Sequence, residues 1–359
     1  MISILHLIPT LGFGGAEKQL SLLASQQMKD GFKVNIGVRK GGIYEQELIK
    51  KGVRVNKLGN WRGPNPLLIN NLFHLIKHTK PDIIQTWLPQ MDIIGGLVKY
   101  FTHIPWIMTE RSVREAYFNF PVQSIIRKLI SFRVTKIISN SDAGVRYWED
   151  NLNYKKEILM IENAVDIDSI KNSSPLSLFS NHNNKPLIMM VGSLIKLKKH
   201  DVFLKAVKLV LERKKINVLI IGEGDQKSSI INLIKILNLQ DYVTLMPYNP
   251  EWFGYLKFAS MLVSPSIIEG QPNVVLEAMG AKCPLIVSNI PAHRQILNNE
   301  SALIIPINDI DKLASAIFNL LERKDLAFKR AEKAFSRLKN MSPKLIASQY
   351  KEAYLDILN

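Results

Sequence analysis

The chain has a single cysteine, Cys283, among its 359 residues. One thiol excludes an internal disulfide and a thiolate-rich metal site, and such sparse cysteine usage is typical of proteins in a reducing cytoplasm. We expect Cys283 to be a small buried hydrophobic residue, because unpaired cysteines usually are.

Long apolar runs are also missing, since none reaches the roughly 18 residues that a membrane-spanning helix needs. Residues 1–9 carry neither a basic leader nor a small-residue cleavage site, so we expect a first buried strand there and no signal peptide. Internal repeats and low-complexity tracts are absent as well. Together these absences predict a cytoplasmic protein.

What the chain does have is the composition of an ordered globular protein, with 47% hydrophobic and 22% charged residues. Its length exceeds one ordinary core and predicts two domains. The net charge of +16 is shared by both halves of the sequence. Such basicity favours an anionic partner, and by itself it does not choose among a nucleotide, a membrane surface and a nucleic acid.

Short β-type runs alternate with helical patterns, which predicts an α/β protein with parallel sheets and crossover helices. The strand candidates form two series. The first series is Ile2–Ile8, Lys33–Val38, Ile83–Thr86, Trp106–Thr109 and Lys136–Asn140. The second series is Leu187–Val191, Asn217–Ile221, Tyr242–Met246, Met261–Ser264, Leu285–Val287 and Ala302–Ile305.

A polar segment rich in proline, serine and asparagine separates the two series and is typical of a linker. We therefore predict a first domain at 1–171, a linker at 172–186 and a second domain at 187–343. The final segment, 344–359, has the pattern of an amphipathic helix. That pattern fits a helix that crosses back to the first domain as well as a last helix of the second.

The segment from Glu269 to Met279 is the most informative part of the chain. A strand candidate precedes a Gly/Pro loop, and good helix formers follow it, so we expect Glu269 in the loop and Glu277 in the helix. Carboxylates only accept hydrogen bonds and therefore suit vicinal sugar hydroxyls. The first N–H groups of the helix, near Asn273, have no partner within the helix and suit an anion or a hydroxyl.

This segment resembles the EX7E motif of the retaining, nucleotide-sugar-dependent glycosyltransferases of family 4. The resemblance implies a GT-B fold, in which two Rossmann-like doubly wound domains face a central cleft. It implies that Glu277 holds the ribose hydroxyls of the donor and that Glu269 holds the donor sugar. The residues that it implies beside them are Gln271, Pro272, Asn273 and Val274.

Two glycine loops extend the resemblance. Residues 10–17 match the GGAE loop of the family, which implies that Gly14 and Gly15 face the donor diphosphate. Residues 191–201 match its VGRLxxxKGxD element, which implies that Lys198 binds the diphosphate and neutralises the leaving group.

The second of these loops departs from the family at Ser193, which stands where members carry an arginine. We keep Ser193 as a donor-binding position that lacks this charge. Whether Lys196 or Lys199 replaces the arginine stays open.

The end of the strand candidate Trp106–Thr109 also departs from the family. Glu110 and Arg111 stand where members often carry a histidine, and Gln90 occupies an earlier histidine position. Glu110 and Arg111 are therefore our candidates for contact with the acceptor or with phosphate.

We expect no metal and no cofactor, the nucleotide sugar being a substrate. Asp166-Ile167-Asp168 spells a metal-binding pattern of a different glycosyltransferase fold, but it lies where the sequence matches the family's NGxD turn. His74 and His78 share a predicted helix face without a third ligand nearby.

Residues 114–135 mix basic and bulky apolar side chains. A basic amphipathic helix of this kind is typical of contact with an anionic membrane surface, and a crossover helix that covers a sheet explains the same pattern. Since the resembled family often acts on lipid-linked acceptors, an anionic surface on the cytoplasmic face of the inner membrane is an expected partner.

The resemblance thus predicts a retaining glycosyltransferase that moves a sugar from a nucleotide-diphosphate sugar, with UDP as the expected nucleotide, to a growing glycan. The expected acceptor is a lipid-linked oligosaccharide, lipopolysaccharide or capsular polysaccharide. Rival hypotheses are a sugar-nucleotide epimerase, an NAD-dependent oxidoreductase and a basic nucleic-acid-binding protein. The first two do not explain the paired glutamates, and the even spread of charge argues against nucleic acid as a partner.

Overall fold

The structure is a computed structural model that describes residues 1–59, 66–117, 121–150, 157–175 and 185–359. The chain forms two compact units. The first unit comprises Met1–Ala164 and Met341–Asn359, and the second comprises Val165–Asn340.

Within its described residues the first unit has a seven-stranded parallel sheet in the order β3-β2-β1-β4-β5-β6-β7. The strands are β1 (Ser3–Thr10), β2 (Lys33–Lys40), β3 (Arg54–Lys57), β4 (Ile83–Trp87), β5 (Trp106–Glu110), β6 (Lys136–Ser139) and β7 (Ile158–Met160). The helices of this unit are α1 (Gly15–Lys29), α2 (Glu45–Lys50), α3 (Pro66–Thr79), α4 (Pro89–Phe101), α5 (Pro121–Ile130), α6 (Asp142–Glu149) and α15 (Pro343–Leu358). The strand order reverses between β1 and β4, the kind of switch point where such sheets bind ligands.

The second unit has a six-stranded parallel sheet, counted over its described residues, in the order β10-β9-β8-β11-β12-β13. Its strands are β8 (Leu187–Val191), β9 (Asn217–Ile221), β10 (Val243–Met246), β11 (Ala259–Ser264), β12 (Leu285–Ser288) and β13 (Leu303–Ile305). Its helices are α7 (Ile167–Asn172), α8 (His200–Leu211), α9 (Lys227–Ile236), α10 (Phe253–Leu256), α11 (Asn273–Gly280), α12 (Pro291–Ile296), α13 (Ile310–Glu322) and α14 (Lys324–Ser336). The switch point of this sheet lies between β8 and β11.

The predicted α/β class with parallel sheets is confirmed, and every strand candidate coincides with an observed strand to within a few residues. The central strands are buried on both faces, as parallel strands covered by crossover helices must be. β4, β5 and β8, for example, are buried along their whole length.

The division between the units falls at Ala164, earlier than the end of the range 1–171 that the sequence assigned to the first domain. The reason is that α7 packs on α11 of the second unit, with Ile170 against the backbone at Gly280. The predicted linker, 172–186, includes residues 176–184, which lie outside the described residues.

The last helix, α15, belongs to the first unit, where it packs on α1. Tyr354 is fully buried, and its hydroxyl donates to Gln85 Oε1 at 2.6 Å and accepts from Gln27 Nε2 at 2.9 Å. The hydroxyl of Tyr354 thus links α15 to both β4 and α1.

Candidate functional site

The loops that follow β8 and β11 bring Lys198 and Glu269 together at the switch point of the second unit. Lys198 Nζ lies 2.5 Å from Glu269 Oε1, and both side chains are largely buried. Burial alone would raise the pKa of the Glu269 carboxyl. The nearby ammonium of Lys198 outweighs burial and holds this pKa below its ordinary value, so the Glu269 carboxyl is ionised at neutral pH.

The loop that carries Lys198 is fixed by close backbone packing against the turn after β9. A Cβ on Gly222 would lie 1.9 Å from the carbonyl oxygen of Gly192, and one on Gly224 would lie 2.4 Å from that of Leu194. Leu194 N also donates to Glu223 O at 2.8 Å. Gly222 and Gly224 are therefore needed for this close packing, which fixes the loop that carries Lys198.

Residues 269–277 form the second part of the site. Helix α11 begins at Asn273, directly after Pro272, whose side chain cannot cap the N-terminus. Gln271 and Glu277 are buried, while Asn273 and Val274 are partly exposed. Glu277 lies in the helix and Glu269 lies in the loop, where the sequence predicted them.

The three lysines after Ser193 do not share one environment. Lys196 and Lys199 line a separate cavity of about 300 Å³ together with His200, and Lys199 Nζ lies 3.6 Å from Asp201. Ser193 itself is exposed. Lys198 therefore pairs with Glu269, whereas Lys196 and Lys199 line the separate cavity.

His293 is a buried neighbour of Glu269 that the sequence analysis missed. Its Nδ1 lies 2.8 Å from the carbonyl oxygen of Ser288, which can only accept, so Nδ1 carries the proton. Burial lowers the pKa of His293 to about 4, with the Glu269 carboxylate opposing the change, so the ring is neutral at neutral pH. His293 lies two residues after the proline that begins α12, and no sequence motif at that position identified it.

In the first unit, Gly14 precedes α1 and Gly15 is its first residue. The carboxylate of Glu17 folds back towards Gly14, so that a Cβ on Gly14 would lie 2.0 Å from Glu17 Oε2. Thr10 Oγ1 donates to the same carboxylate at 2.8 Å, and burial raises the pKa of Glu17. The start of this helix therefore already has an acidic side chain beside it.

Glu110 ends β5 and is fully buried. Its carboxylate accepts from Tyr117 OH at 2.6 Å, from Arg127 Nη1 at 2.7 Å and from Trp148 Nε1 at 2.9 Å, and also from the backbone N–H of Ser112. These bonds use most of its accepting capacity. We therefore assign Glu110 to the support of the site and no longer to contact with the acceptor.

Arg111 lies beside Glu110 and has a different environment. Its Nη2 donates to Asn163 Oδ1 at 2.6 Å, and its guanidinium lies 5.2 Å from the centre of the Trp87 ring. It lines a cavity of about 510 Å³ in the first unit, together with Arg39, Lys40 and the inner side of α5 at Arg127. This arrangement suits a ligand that carries both hydroxyls and an anionic group.

The described residues contain no cluster of three or more His, Cys, Asp or Glu side chains arranged to hold a metal ion. Asp166, the first residue of the Asp-Ile-Asp pattern, caps α7 by accepting from the backbone N–H of Ser169 at 3.0 Å. Over the same described residues, no helix is both long and apolar enough to span a membrane.

Two doubly wound parallel units are the architecture of the GT-B fold. Residues 13–169 match the family model described as Glycosyltransferase Family 4, and residues 178–337 match the model described as Glycosyl transferases group 1. The two ranges together cover most of the chain, which therefore belongs to the glycosyltransferases of family 4 type and is a transferase. The predicted family and the predicted GT-B fold are confirmed, and the epimerase, oxidoreductase and nucleic-acid hypotheses are set aside.

Similar proteins come from several bacteria. An uncharacterised glycosyltransferase of Haemophilus influenzae is 23% identical over 341 residues, which cover 91% of this chain and 92% of that protein. The UDP-Gal:alpha-D-GlcNAc-diphosphoundecaprenol alpha-1,3-galactosyltransferase of Escherichia coli is 25% identical over 71% of this chain and 70% of its own.

Among solved structures, HepE of Anabaena in complex with UDP and glucose superposes with a TM-score of 0.87. It is 16% identical in sequence, and the match covers 98% of this chain and 99% of HepE. At this identity the likeness supports the fold.

Proposed function

We propose that the protein is a retaining glycosyltransferase that transfers the sugar of a UDP-sugar to a lipid-linked glycan. The observation that carries this proposal is the Lys198–Glu269 pair, whose glutamate lies in the loop that leads into α11. A cation next to a carboxylate and a helix N-terminus offers partners for the two chemical parts of a nucleotide sugar, its diphosphate and its hydroxyls.

Each side chain of this site has one role in the proposal. Lys198 binds the donor diphosphate and offsets the negative charge that grows on it as the sugar leaves. Glu269 and the backbone of residues 271–274 hold the donor sugar. Glu277, placed on α11, holds the ribose hydroxyls. A buried carboxylate keeps a fixed orientation, and that favours catalysis by positioning.

The transfer needs no nucleophile from the enzyme. The acceptor hydroxyl oxygen forms a bond to the anomeric carbon on the face from which the diphosphate departs. The bond between that carbon and the phosphate oxygen breaks, and the departing oxygen receives the proton of the acceptor hydroxyl. The enzyme contributes orientation and stabilisation of the leaving charge, and the neutral ring of His293 adds no positive charge at neutral pH.

The nucleotide and the acceptor are proposed from the relatives. The structure of HepE holds UDP with glucose, and the name of the E. coli relative specifies UDP-galactose and a diphosphoundecaprenol-linked acceptor. The cavity of the first unit, with Arg39, Lys40 and Arg111 along its wall, is our candidate for the acceptor. With such an acceptor, we propose a reaction at the cytoplasmic face of a membrane.

A panel of nucleotide sugars tests this proposal directly. Transfer to a short lipid-diphosphate glycan, and release of free UDP in its absence, are measured for UDP-, GDP- and ADP-linked hexoses. We expect turnover with a UDP-sugar, and a fall of roughly 100-fold or more in kcat for Lys198→Met.

The matched control for that variant is Lys333→Met, which removes an exposed lysine of the same unit that pairs with Glu300 at 3.0 Å. We expect it to keep full activity. Equal activity of the two variants contradicts the role of Lys198, and turnover with GDP- or ADP-sugars alone contradicts the choice of nucleotide.

A further inference from the structure

Helix α5 is amphipathic in the opposite sense from an ordinary crossover helix. Val122, Ile125, Ile126 and Leu129 recur at the spacing of one helix face, and all four are exposed. The residue that α5 buries is Arg127, which is only 1% exposed. The apolar stripe of this helix therefore points away from the core of its unit.

Buried ion pairs fix this orientation. Arg127 Nε donates to Asp92 Oδ2 on α4 at 2.6 Å, and its Nη1 donates to Glu110 Oε2 on β5 at 2.7 Å. A rotation of α5 that hid its apolar stripe would expose or separate these charges, which is costly for a buried pair. The apolar stripe is thus exposed because the ion pairs of Arg127 hold the helix in this orientation.

The exposed stripe has apolar neighbours, because α5 packs on α4 and on residues Ser131–Arg133. We call the combined surface the apolar face. Its most exposed large side chains are Tyr100 (61% exposed), Phe101 (64%), Val122 (68%), Ile125 (57%), Leu129 (66%) and Phe132 (54%). Contiguous apolar surface of this kind on a folded protein marks an interaction site.

The elements that carry the apolar face also carry basic residues. The Arg133 guanidinium lies 4.5 Å from the centre of the Tyr100 ring and 5.1 Å from that of Phe132. Lys99 and Lys128 lie on the same two helices. The one acidic residue of α4 and α5 is Asp92, which is buried against Arg127. Basic side chains among exposed aromatic and aliphatic ones match the headgroup region of an anionic bilayer.

We propose that the apolar face docks the protein on an anionic phospholipid surface, with α5 lying along the membrane plane. This inference rests on the proposed function only in that a lipid-linked acceptor is found at such a surface. The apolar side chains of α5 enter the interface, while Lys128 and Arg133 contact anionic headgroups. The opposite side of α5, at Arg127, lines the cavity of the first unit.

Vesicle binding tests the proposal with the full chain. Vesicles of phosphatidylcholine alone, and of phosphatidylcholine with about a third phosphatidylglycerol, are sedimented with the protein at low and high salt. We expect binding to the anionic vesicles that weakens as salt is added. Ile125→Ser with Leu129→Ser should lower the partition coefficient by roughly ten-fold or more. Lys128→Gln with Arg133→Gln should lower it by roughly ten-fold.

The matched control is Phe328→Ser with Lys329→Gln, which changes one exposed aromatic residue and one exposed lysine on α14. It should bind vesicles as the wild type does. Transfer to a short water-soluble acceptor should be unchanged in all three variants, which shows that they are folded.

Two results overturn the inference. The first is equal vesicle binding by the wild type and the Ile125→Ser/Leu129→Ser variant. The second is a wild-type dimer in sedimentation velocity that this variant dissociates, without vesicle binding, because the face then serves a second copy of the chain. Vesicle binding without sugar transfer from any nucleotide supports the docking and contradicts the proposed function, so the two failures are distinguishable.

Discussion

Lys198 Nζ and Glu269 Oε1 lie 2.5 Å apart, although 71 residues separate them in the sequence. Each comes from a loop at the carboxyl end of a strand, β8 for the lysine and β11 for the glutamate. Because these two strands are neighbours in the sheet, the pairing follows from the topology of the second unit.

The first prediction concerns how the activity depends on pH. Burial raises the pKa of Glu269, and Lys198 outweighs burial and holds this pKa below its ordinary value. When the lysine is removed, burial becomes the dominant influence and the pKa of Glu269 rises. We therefore expect the acidic limb of the kcat/KM profile to move to higher pH in Lys198→Met. Measurement of kcat/KM from pH 4 to 8 in both proteins checks this, and Glu269→Gln should show no such limb. Superimposable profiles would contradict the coupling.

The second prediction concerns Asp92. Burial raises its pKa to about 6, from an ordinary value of 3.8, with Arg127 opposing the rise. Between these two values the folded protein retains a proton that the unfolded chain has lost, so the free energy of unfolding falls as pH rises through this window. The amide that Asp92→Asn introduces does not titrate. The stability of the wild type relative to this variant should therefore decline by an amount on the order of 2 kcal/mol between pH 4 and 6.

Urea unfolding of both proteins at several pH values measures that difference. A difference for Asp92→Asn that stays constant with pH would refute the assignment.

The third prediction compares two tyrosines on α15. Tyr354→Phe leaves Gln27 and Gln85 without the hydroxyl that joins them, and should lower the free energy of unfolding by about 1–3 kcal/mol. Tyr350 is equally buried, and its hydroxyl has no hydrogen-bond partner among the described residues. Tyr350→Phe should therefore be neutral or slightly stabilising. Equal losses in the two variants, measured by denaturant unfolding, would rule out this explanation.

The fourth prediction concerns the single cysteine. Cys283 is buried, and burial raises its pKa to about 12. Since the thiolate is the reactive form, a water-soluble disulfide reagent at pH 8 should modify Cys283 slowly in the native protein and rapidly in denaturant. Fast labelling of the folded protein would show that the thiol is accessible. Cys283→Ala provides the blank.

Much of the fold could be predicted from the sequence because buried parallel strands consist of short apolar runs. The strands that escaped prediction, β3 and β7, are the two edges of the first sheet and are partly exposed. β3 contains a single apolar residue, Val55, and β7 is only three residues long. An edge strand is specified by its neighbour more than by its own residues.

The site was predicted unevenly for a related physical reason. Residues within one motif, such as Glu269 and Glu277, could be assigned to loop and helix by local pattern. The surroundings of Glu110 could not, because its partners Tyr117, Arg127 and Trp148 come from separate elements. The sequence likewise left open which side of residues 114–135 meets the core. Two bulky apolar residues of this segment, Phe118 and Phe120, lie outside the described residues.

Because helix α15 belongs to the first unit, the two units are completed at different times during synthesis. The second unit is built from one continuous stretch that ends at Asn340, whereas the first needs Tyr354 to complete its hydrogen bonds at Gln27 and Gln85. Since a nascent chain emerges from the ribosome in order, the unit that begins first is finished last. Its exposed apolar surface must then stay free of aggregation while the whole of the second unit is being translated.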